Sequence, residues 1–364
     1  MIYIVLMFLC VILAILASKY VFNYNDGRRI YLFQFLSLCC VVFISGFRGM
    51  NVGTDTKGTY FEIYEFAQYR LESIRDWGYG LLNFVSYKIY NNYNFLLLLV
   101  SIIIYGLIFV RIYKSSEIPW FSVFLFFATD FFFVSMNMVR QSISIAIFVY
   151  VWPMIYSRKK GDIVKTWILI IVGVLMHSSC LIIIPAYFVI KYFKLTPKKA
   201  LIITMINCLF YETFDKIIIT LLYRVNYFKT YFAWYFNSSY NTGKVSIWGI
   251  LIPVAIGVFW IFLYYNDSGN RDNRYFNDLG LCMLIAVNLM IYSGKIPLID
   301  RIALYFTFQV IILIPNTVSK MKNKKNQFLS EIIISLSYFA YMVITIYGQG
   351  QEGVLPYTNI FFGG

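Results

Sequence analysis

Charge is scarce in this chain. Only 13% of its 364 residues are Asp, Glu, Lys or Arg, while 60% are hydrophobic. A soluble domain with that balance would expose large apolar patches and aggregate. No hydrophilic stretch is long enough for a separate soluble domain. Histidine is rarer still, with His177 the single example. Six cysteines, Cys10, Cys39, Cys40, Cys180, Cys208 and Cys282, all lie inside apolar segments without metal-type spacing, which argues against disulfides and zinc. P-loop, Rossmann glycines, HExxH and serine elbow are all missing, so an NTP-driven pump and a soluble-type hydrolase have no support. There is no internal repeat, and no low-complexity segment beyond the lysine-rich loop at 320–325. The first apolar run lacks a basic n-region and a convincing cleavage site, and reads as a retained helix rather than a signal peptide.

What is present is a succession of apolar runs, near 2–18, 30–46, 93–110, 119–135, 137–156, 163–176, 178–190, 200–218, 245–264, 276–293, 302–316 and 328–347. Runs of about 17 to 20 apolar residues are the signature of spanning helices. The fold class expected is all-α: a polytopic bundle of about twelve transmembrane helices forming one domain over 1–364. The net charge of +14 follows from Lys and Arg collecting in cytoplasmic loops, so no nucleic-acid partner is needed. The clusters Lys19/Arg28/Arg29, Arg111/Lys114, Arg158/Lys159/Lys160/Lys165, Lys191/Lys194/Lys198/Lys199, Arg271/Arg274 and Lys320/Lys322/Lys324/Lys325 mark that side. They hold 19 of the 31 basic residues. The parity works with both termini outside. It requires residues 77–91 to lie on the outer surface as an amphipathic or re-entrant helix, and 163–190 to be a short hairpin.

Helix rise then serves as a ruler. Arg140 lies 18 residues before Arg158, roughly 27 Å away. Arg301 lies 19 residues before Lys320, roughly 29 Å away. His177 is roughly 18 to 21 Å from its flanking lysines. Arg48 and Asp55 follow the outer end of the 30–46 run. These five residues thus bring unusual polar groups to the outer face of a membrane whose hydrocarbon core is about 30 Å thick.

Each group has a bland and a sharp interpretation. Asn137, Arg140, Gln141 and Ser144 are spaced i, i+3, i+4, i+7 and form one polar stripe. It is either a structural seam or the wall of a wet cavity; arginine at that depth favours function. His177, in "LMHSSC", is either a packing residue, or a general base or phosphate ligand. Asp300 and Arg301 at a helix start are either a local ion pair, or an arginine aimed into the cavity and oriented by its neighbour. In "FRGMNVGTDTKGTYFEIYE" (47–65), glycines Gly49, Gly53 and Gly58 permit sharp turns that let backbone N–H groups approach an anion. Arg48 there offers bidentate donors suited to phosphate, and Asp55 a carboxylate. A solvated loop is the ordinary alternative. The segment 47–92 is expected as an outer-face loop with an amphipathic part, and 219–244 as an aromatic-rich outer loop. The aromatics are either an interfacial belt or a platform for sugar rings.

"RGMNVGTDT" (48–56) resembles the Arg-x3-Val-Gly-x-Asp signature of the EpsG-like, Wzy-type polysaccharide polymerase family. "VRQSISIA" (139–146), "MHSS" (176–179), "DRIALYF" (300–306) and "LPYTNIFF" (355–362) match that family in order and spacing. The resemblance implies a bacterial inner-membrane, multi-pass glycosyltransferase with a fold similar to the GT-C class. It would join oligosaccharide repeat units carried on undecaprenyl diphosphate, making O-antigen, capsule or exopolysaccharide, with its active site facing the exterior.

Both partners in that reaction, donor and acceptor, are lipid-linked glycans; membrane lipid and a chain-length regulator are the other candidate partners. Outer carboxylates are sparse while arginines converge, which predicts charge neutralisation needing no metal or other cofactor, and a single displacement predicts inversion at the anomeric carbon. Arg48, Arg140 and Arg301 would neutralise the diphosphate leaving group. His177 is the preferred base and Asp55 the alternative, orienting the acceptor or an arginine. Gln141, Asn137, Asp300, Gly53, Thr54 and Ser178 stand as supporting positions. A lipid-linked oligosaccharide flippase would spread its charges through a central cavity, and an acyltransferase would want a carboxylate close to His177 in sequence. An O-antigen ligase shares the carrier chemistry and differs in its acceptor.

Overall fold

A computed structural model of the chain describes residues 1–18, 27–67, 76–224, 247–267 and 273–361. Among these the structure is helical, with no β-strand and an isolated bridge between Arg48 and Asn359. The aromatic loop expected at 219–244 lies outside the described residues beyond Arg224. So do 68–75 of the outer segment, and Lys19 and Arg271 of the basic clusters.

The helices divide between two compact units, Met1–Lys191 with Asn323–Gly364, and Tyr192–Lys322. The first contains α1 (Ile2–Leu16), α2 (Gly27–Gly46), a π-helical turn (Thr56–Phe61) running into α3 (Glu62–Ala67), α4 (Trp77–Ile89) and α5 (Tyr93–Ser115). It continues with α6 (Pro119–Ala128), α7 (Phe131–Asn137), α8 (Val139–Val151), α9 (Lys160–Met176) and α10 (Ile183–Tyr192). The second contains α11 (Pro197–Leu209), α12 (Tyr211–Arg224), α13 (Ile247–Asn266), α14 (Arg274–Met290), α15 (Ile299–Thr307) and α16 (Val310–Val318). The chain then returns to the first unit with α17 (Lys324–Met342) and a π-helical end, Val343–Gly348.

In the first unit α6 and α7 are the centre. Phe121–Ala128 and Phe131–Met136 are buried without exception, as a helix apolar all round should be. Around them stand α1, α5, α8 and α17, with α2 and α9 outside. Lipid tails are as apolar as these side chains, so helix association here rests on close packing and hydrogen bonds rather than on exclusion of water. Edge-on rings supply much of that packing: Tyr3 meets Phe133 at 5.1 Å and Phe132 at 5.9 Å, and Tyr105 meets Phe126 at 5.8 Å. Each such pair contributes about 0.5–1.5 kcal/mol beyond its area. Small residues do the rest, with Ser142, Ser144 and Ala146 of α8 fully buried.

The 119–135 run, expected as one spanning helix, is broken. Asp130 adopts a left-handed conformation (φ 64) and the two pieces diverge by 50°. Asp tolerates that conformation better than most residues, and its Oδ2 accepts from the Thr345 hydroxyl at 2.6 Å. The 163–190 hairpin is present: Trp167 of α9 lies 5.0 Å from Tyr187 of α10, ring centre to ring centre. Residues 77–91 are helical over Trp77–Ile89.

In the second unit α14 packs against α13, α15 and α16. Gly280 lets it close on Trp260, whose Nε1 donates to the Phe276 carbonyl at 2.9 Å. Asp300 is exposed in the first turn of α15, where a helix N-terminus favours a carboxylate. Arg301 beside it is half-buried.

By length and composition, five described helices can cross a membrane: Tyr93–Ser115, Val139–Tyr156, Ile247–Asn266, Ile299–Val318 and Lys324–Gly348. The bent pair α6–α7 makes six, and Ile2–Leu16, Ile30–Gly46 and Ser178–Tyr192 are shorter apolar helices. The expected count of about twelve takes one helix from each apolar run, with 163–190 as a short hairpin. Several of those runs form helices of 10 to 17 residues, roughly 15–26 Å long, or are interrupted, so fewer of them qualify as full spans by length and composition among the described residues.

Candidate functional site

The "RGMNVGTDT" turn is folded against the chain's other end. The Gly49 amide donates to the Thr358 carbonyl at 2.9 Å, the Ile360 amide to the Phe47 carbonyl at 3.2 Å, and the Gly53 amide to the Gly353 carbonyl at 2.9 Å. Two family-like motifs separated by the whole sequence therefore form one structure. Gly53 has φ +94, and a Cβ there would stand 2.8 Å from the Thr56 hydroxyl and 3.1 Å from the Met136 carbonyl. Only glycine fits that turn without strain.

Arg48 is buried, at 2% exposure. Its Nη1 donates to the Ser45 carbonyl at 2.6 Å and the Ser45 hydroxyl at 3.2 Å, and its Nη2 to the Met136 carbonyl at 3.0 Å. Nε is buried too and has no acceptor among the described residues. The guanidinium thus caps the C-terminal end of α7, where a cation offsets the helix dipole, and ties that end to α2.

Asn137, the last residue of α7, is a hub. Its Oδ1 accepts from the Thr54 hydroxyl at 2.7 Å and the Asp55 amide at 3.0 Å, while its Nδ2 donates to Glu352 Oε2 at 2.7 Å. The next residue, Met138 (φ −91, ψ 58), leaves helical geometry before α8 begins. The stripe expected on one helix is therefore divided. Asn137 closes α7, whereas Arg140, Gln141 and Ser144 belong to α8, with Gln141 and Ser144 buried. The backbone breaks there because the Met136 carbonyl and the Asn137 side chain are both held by other segments.

Arg140 meets His177 through a residue that sequence reading overlooked. Asp76 Oδ2 lies 2.8 Å from Arg140 Nη1 and 3.1 Å from His177 Nδ1, and the Ser178 amide points to Oδ1 at 3.4 Å. Asp76 precedes the first residue of α4. Gly78, two residues on, brings α4 onto α9, where an added Cβ would stand 2.9 Å from the Leu175 backbone. That close approach carries Asp76 to His177, which follows α9 in extended conformation (φ −159, ψ 123). The sequence signal was slight: an acid just before the glycine-spaced "WGYG".

The carboxylate side chain is 3% exposed, against 22% for Arg140 and 21% for His177. The anion is sealed beneath two groups that solvent or substrate can reach. Burial by itself would raise the Asp76 carboxyl. The hydrogen bond and charge of His177, then the charge of Arg140 and the Ser178 amide, outweigh it and hold that carboxyl below the usual carboxylate value. The Tyr60 ring lies 5.7 Å from the guanidinium, a cation–π distance. Nε of Arg140 is buried and has no acceptor among the described residues. Also among them, no three His, Cys, Asp or Glu side chains come together as a metal site.

The first unit thus assembles two neighbouring constellations from the expected residues. One is Arg140, His177 and Ser178 around Asp76. The other is Gly53, Thr54, Asp55 and Asn137 with Glu352. Arg48 supports the second from inside, through the carbonyl of Met136 next to Asn137. Asp300 and Arg301 belong to the second unit.

These features define a multi-pass α-helical membrane protein with a polar cluster built on interrupted helices. A sequence model of the EpsG family matches residues 28–359, and the chain belongs to that family of polysaccharide polymerase-like membrane proteins. No curated protein and no solved structure matches it.

Proposed function

We propose that this protein is a polysaccharide polymerase. It joins undecaprenyl-diphosphate-linked oligosaccharide repeat units at the outer face of a bacterial inner membrane, in a fold of the GT-C kind. Family membership supports a polymerase-like role in polysaccharide biosynthesis, and the distribution of basic loops supports the side. The observation that carries the chemistry is the buried Asp76 carboxylate held between partly exposed Arg140 and His177.

A carboxylate acceptor fixes the imidazole proton on Nδ1 and leaves the lone pair on Nε2. Nε2 then takes the proton of an acceptor sugar hydroxyl. The resulting oxygen attacks the donor's anomeric carbon as the bond from that carbon to the diphosphate oxygen breaks. A single displacement inverts the anomeric centre. The departing diphosphate carries the charge, so it needs cationic donors more than a proton. Arg140 uses one N–H on Asp76 and keeps its charge on a guanidinium about a fifth exposed, which makes it the diphosphate ligand of this site. Asp55 orients the acceptor. Arg48, engaged by carbonyls and buried, positions rather than binds.

Reconstitution with a lipid-linked repeat unit, with and without EDTA, tests this. A ladder of products that persists in EDTA is expected. No ladder from the cognate substrate ends the polymerase reading, and a single transfer to a different lipid acceptor replaces it with a ligase. Activity lost in EDTA and restored by a divalent ion ends the metal-independent mechanism.

A further inference from the structure

The C-terminal segment after α17 is tied down along its length, to α1 and α2 and, through Glu352, to the helix break before Arg140. Tyr3 donates its hydroxyl to the Val354 carbonyl at 2.9 Å, Tyr357 donates to the Ile44 carbonyl at 3.0 Å, and the rings of Phe43 and Phe361 stack 6.0 Å apart. At the break itself, Asn137 is spanned from two sides. Its amide oxygen is taken by Thr54 and the Asp55 amide, and its amide nitrogen by Glu352 at a sequence separation of 215. Glu352 makes this contact from a left-handed backbone (φ 66) beside Gly353 (φ 59), a conformation that costs a non-glycine residue energy and persists only where the surroundings impose it.

We propose that Glu352 is a positioning residue for the transfer reaction. By holding the Asn137 amide it fixes the α7–α8 break, and so the direction in which Arg140, on the first turn of α8, presents its guanidinium. The carboxylate serves as a hydrogen-bond acceptor, and its negative charge is incidental. An amide oxygen in its place performs the same task. Asn137 Nδ2 is a donor, and an aliphatic side chain at 352 takes its acceptor away; the amide then rests on its two Oδ1 contacts alone and the break is looser. The catalytic consequence rests on the polymerase reading; the structural one does not.

The test compares Glu352→Gln with Glu352→Ala in the full-length, membrane-reconstituted protein, using two readouts. Backbone hydrogen exchange over 53–56 and 138–142 should accelerate in E352A and match wild type in E352Q. In the product-ladder assay, E352A should lower kcat by roughly tenfold to a hundredfold, the cost of a small misplacement of a catalytic group, with KM little changed and E352Q near wild type. Unchanged exchange in E352A overturns the proposal. So does an E352Q as impaired as E352A, because that makes the charge itself essential. If the wild-type protein forms no ladder, the polymerase reading falls, and the exchange experiment alone decides the role of Glu352.

Discussion

Replacing Asp76 with Asn keeps the shape of the side chain and removes what the site is built around. Two effects follow, and they separate cleanly. The first is on chemistry. An amide can turn its NH2 toward His177 Nδ1, which then becomes the acceptor and places the proton on Nε2, the wrong nitrogen for a base. In the serine-protease triad the equivalent substitution costs about 10⁴ in kcat. A loss of about 10²–10⁴ is expected here, roughly 3–5 kcal/mol of transition-state stabilisation. The second effect is on stability. Breaking a fully buried ion pair costs about 3–5 kcal/mol, but Arg140 and His177 are each about a fifth exposed, so water compensates part of the loss. About 1–3 kcal/mol is the expected destabilisation.

Acid dependence tests the same carboxylate independently. Its proton affinity is lower in the folded protein than in the unfolded chain, so the folded state binds fewer protons and stability rises with pH through this window. The contribution is present in full above the unfolded value of about 3.9 and disappears as pH falls through the lower, folded one. Thermal melts in detergent should therefore show an acid slope in the wild type that D76N lacks. D76N polymerising at the wild-type rate, with an unchanged pH profile, would refute the reasoning, because His177 would then need no orienting carboxylate.

Arg140→Ala should abolish chain growth while membrane insertion stays normal, as read by ladder assay and fractionation; full activity would clear Arg140 of any essential role. Gly78→Ala alters no charged atom, yet its Cβ would press on the Leu175 backbone at 2.9 Å and push α4 off α9; activity should fall roughly tenfold or more, with a wild-type rate showing that the Asp76–His177 contact tolerates the shift. Arg48→Lys should lower the melting temperature, because a lysine cannot hold both the Ser45 and Met136 carbonyls; a loss of about 1–3 kcal/mol for the abandoned acceptor is expected, and an unchanged melting temperature with lost activity would return Arg48 to the diphosphate.

Much of the site was half-visible in the sequence. Arg140 and His177 stood out because an ionisable group within an apolar helix is costly wherever it points. Asp76 did not, because it sits in a polar stretch where a carboxylate is unremarked, and its partners lie 64 and 101 residues away. Arg48 was noticed for its chemistry, but nothing local says whether a guanidinium faces a cavity or a row of carbonyls. The stripe from Asn137 to Ser144 obeyed helical spacing on paper. Contacts from two other segments, the 48–56 turn and the stretch at Glu352, interrupted the helix at Met138, and periodicity carries no record of them.

From its order of residues alone the chain is a membrane protein of many helices with its basic loops segregated and a family signature after the second run. Those properties depend on hydropathy, which accumulates along the backbone, and on short motifs that need no partner. Which carboxylate meets His177, which arginine is entombed and which is open, and that Glu352 reaches Asn137 were decided by tertiary structure. A glycine at 78 brings two helices together and a turn at 53 receives the far end of the chain, and such meetings exist only when distant segments occupy the same few ångströms.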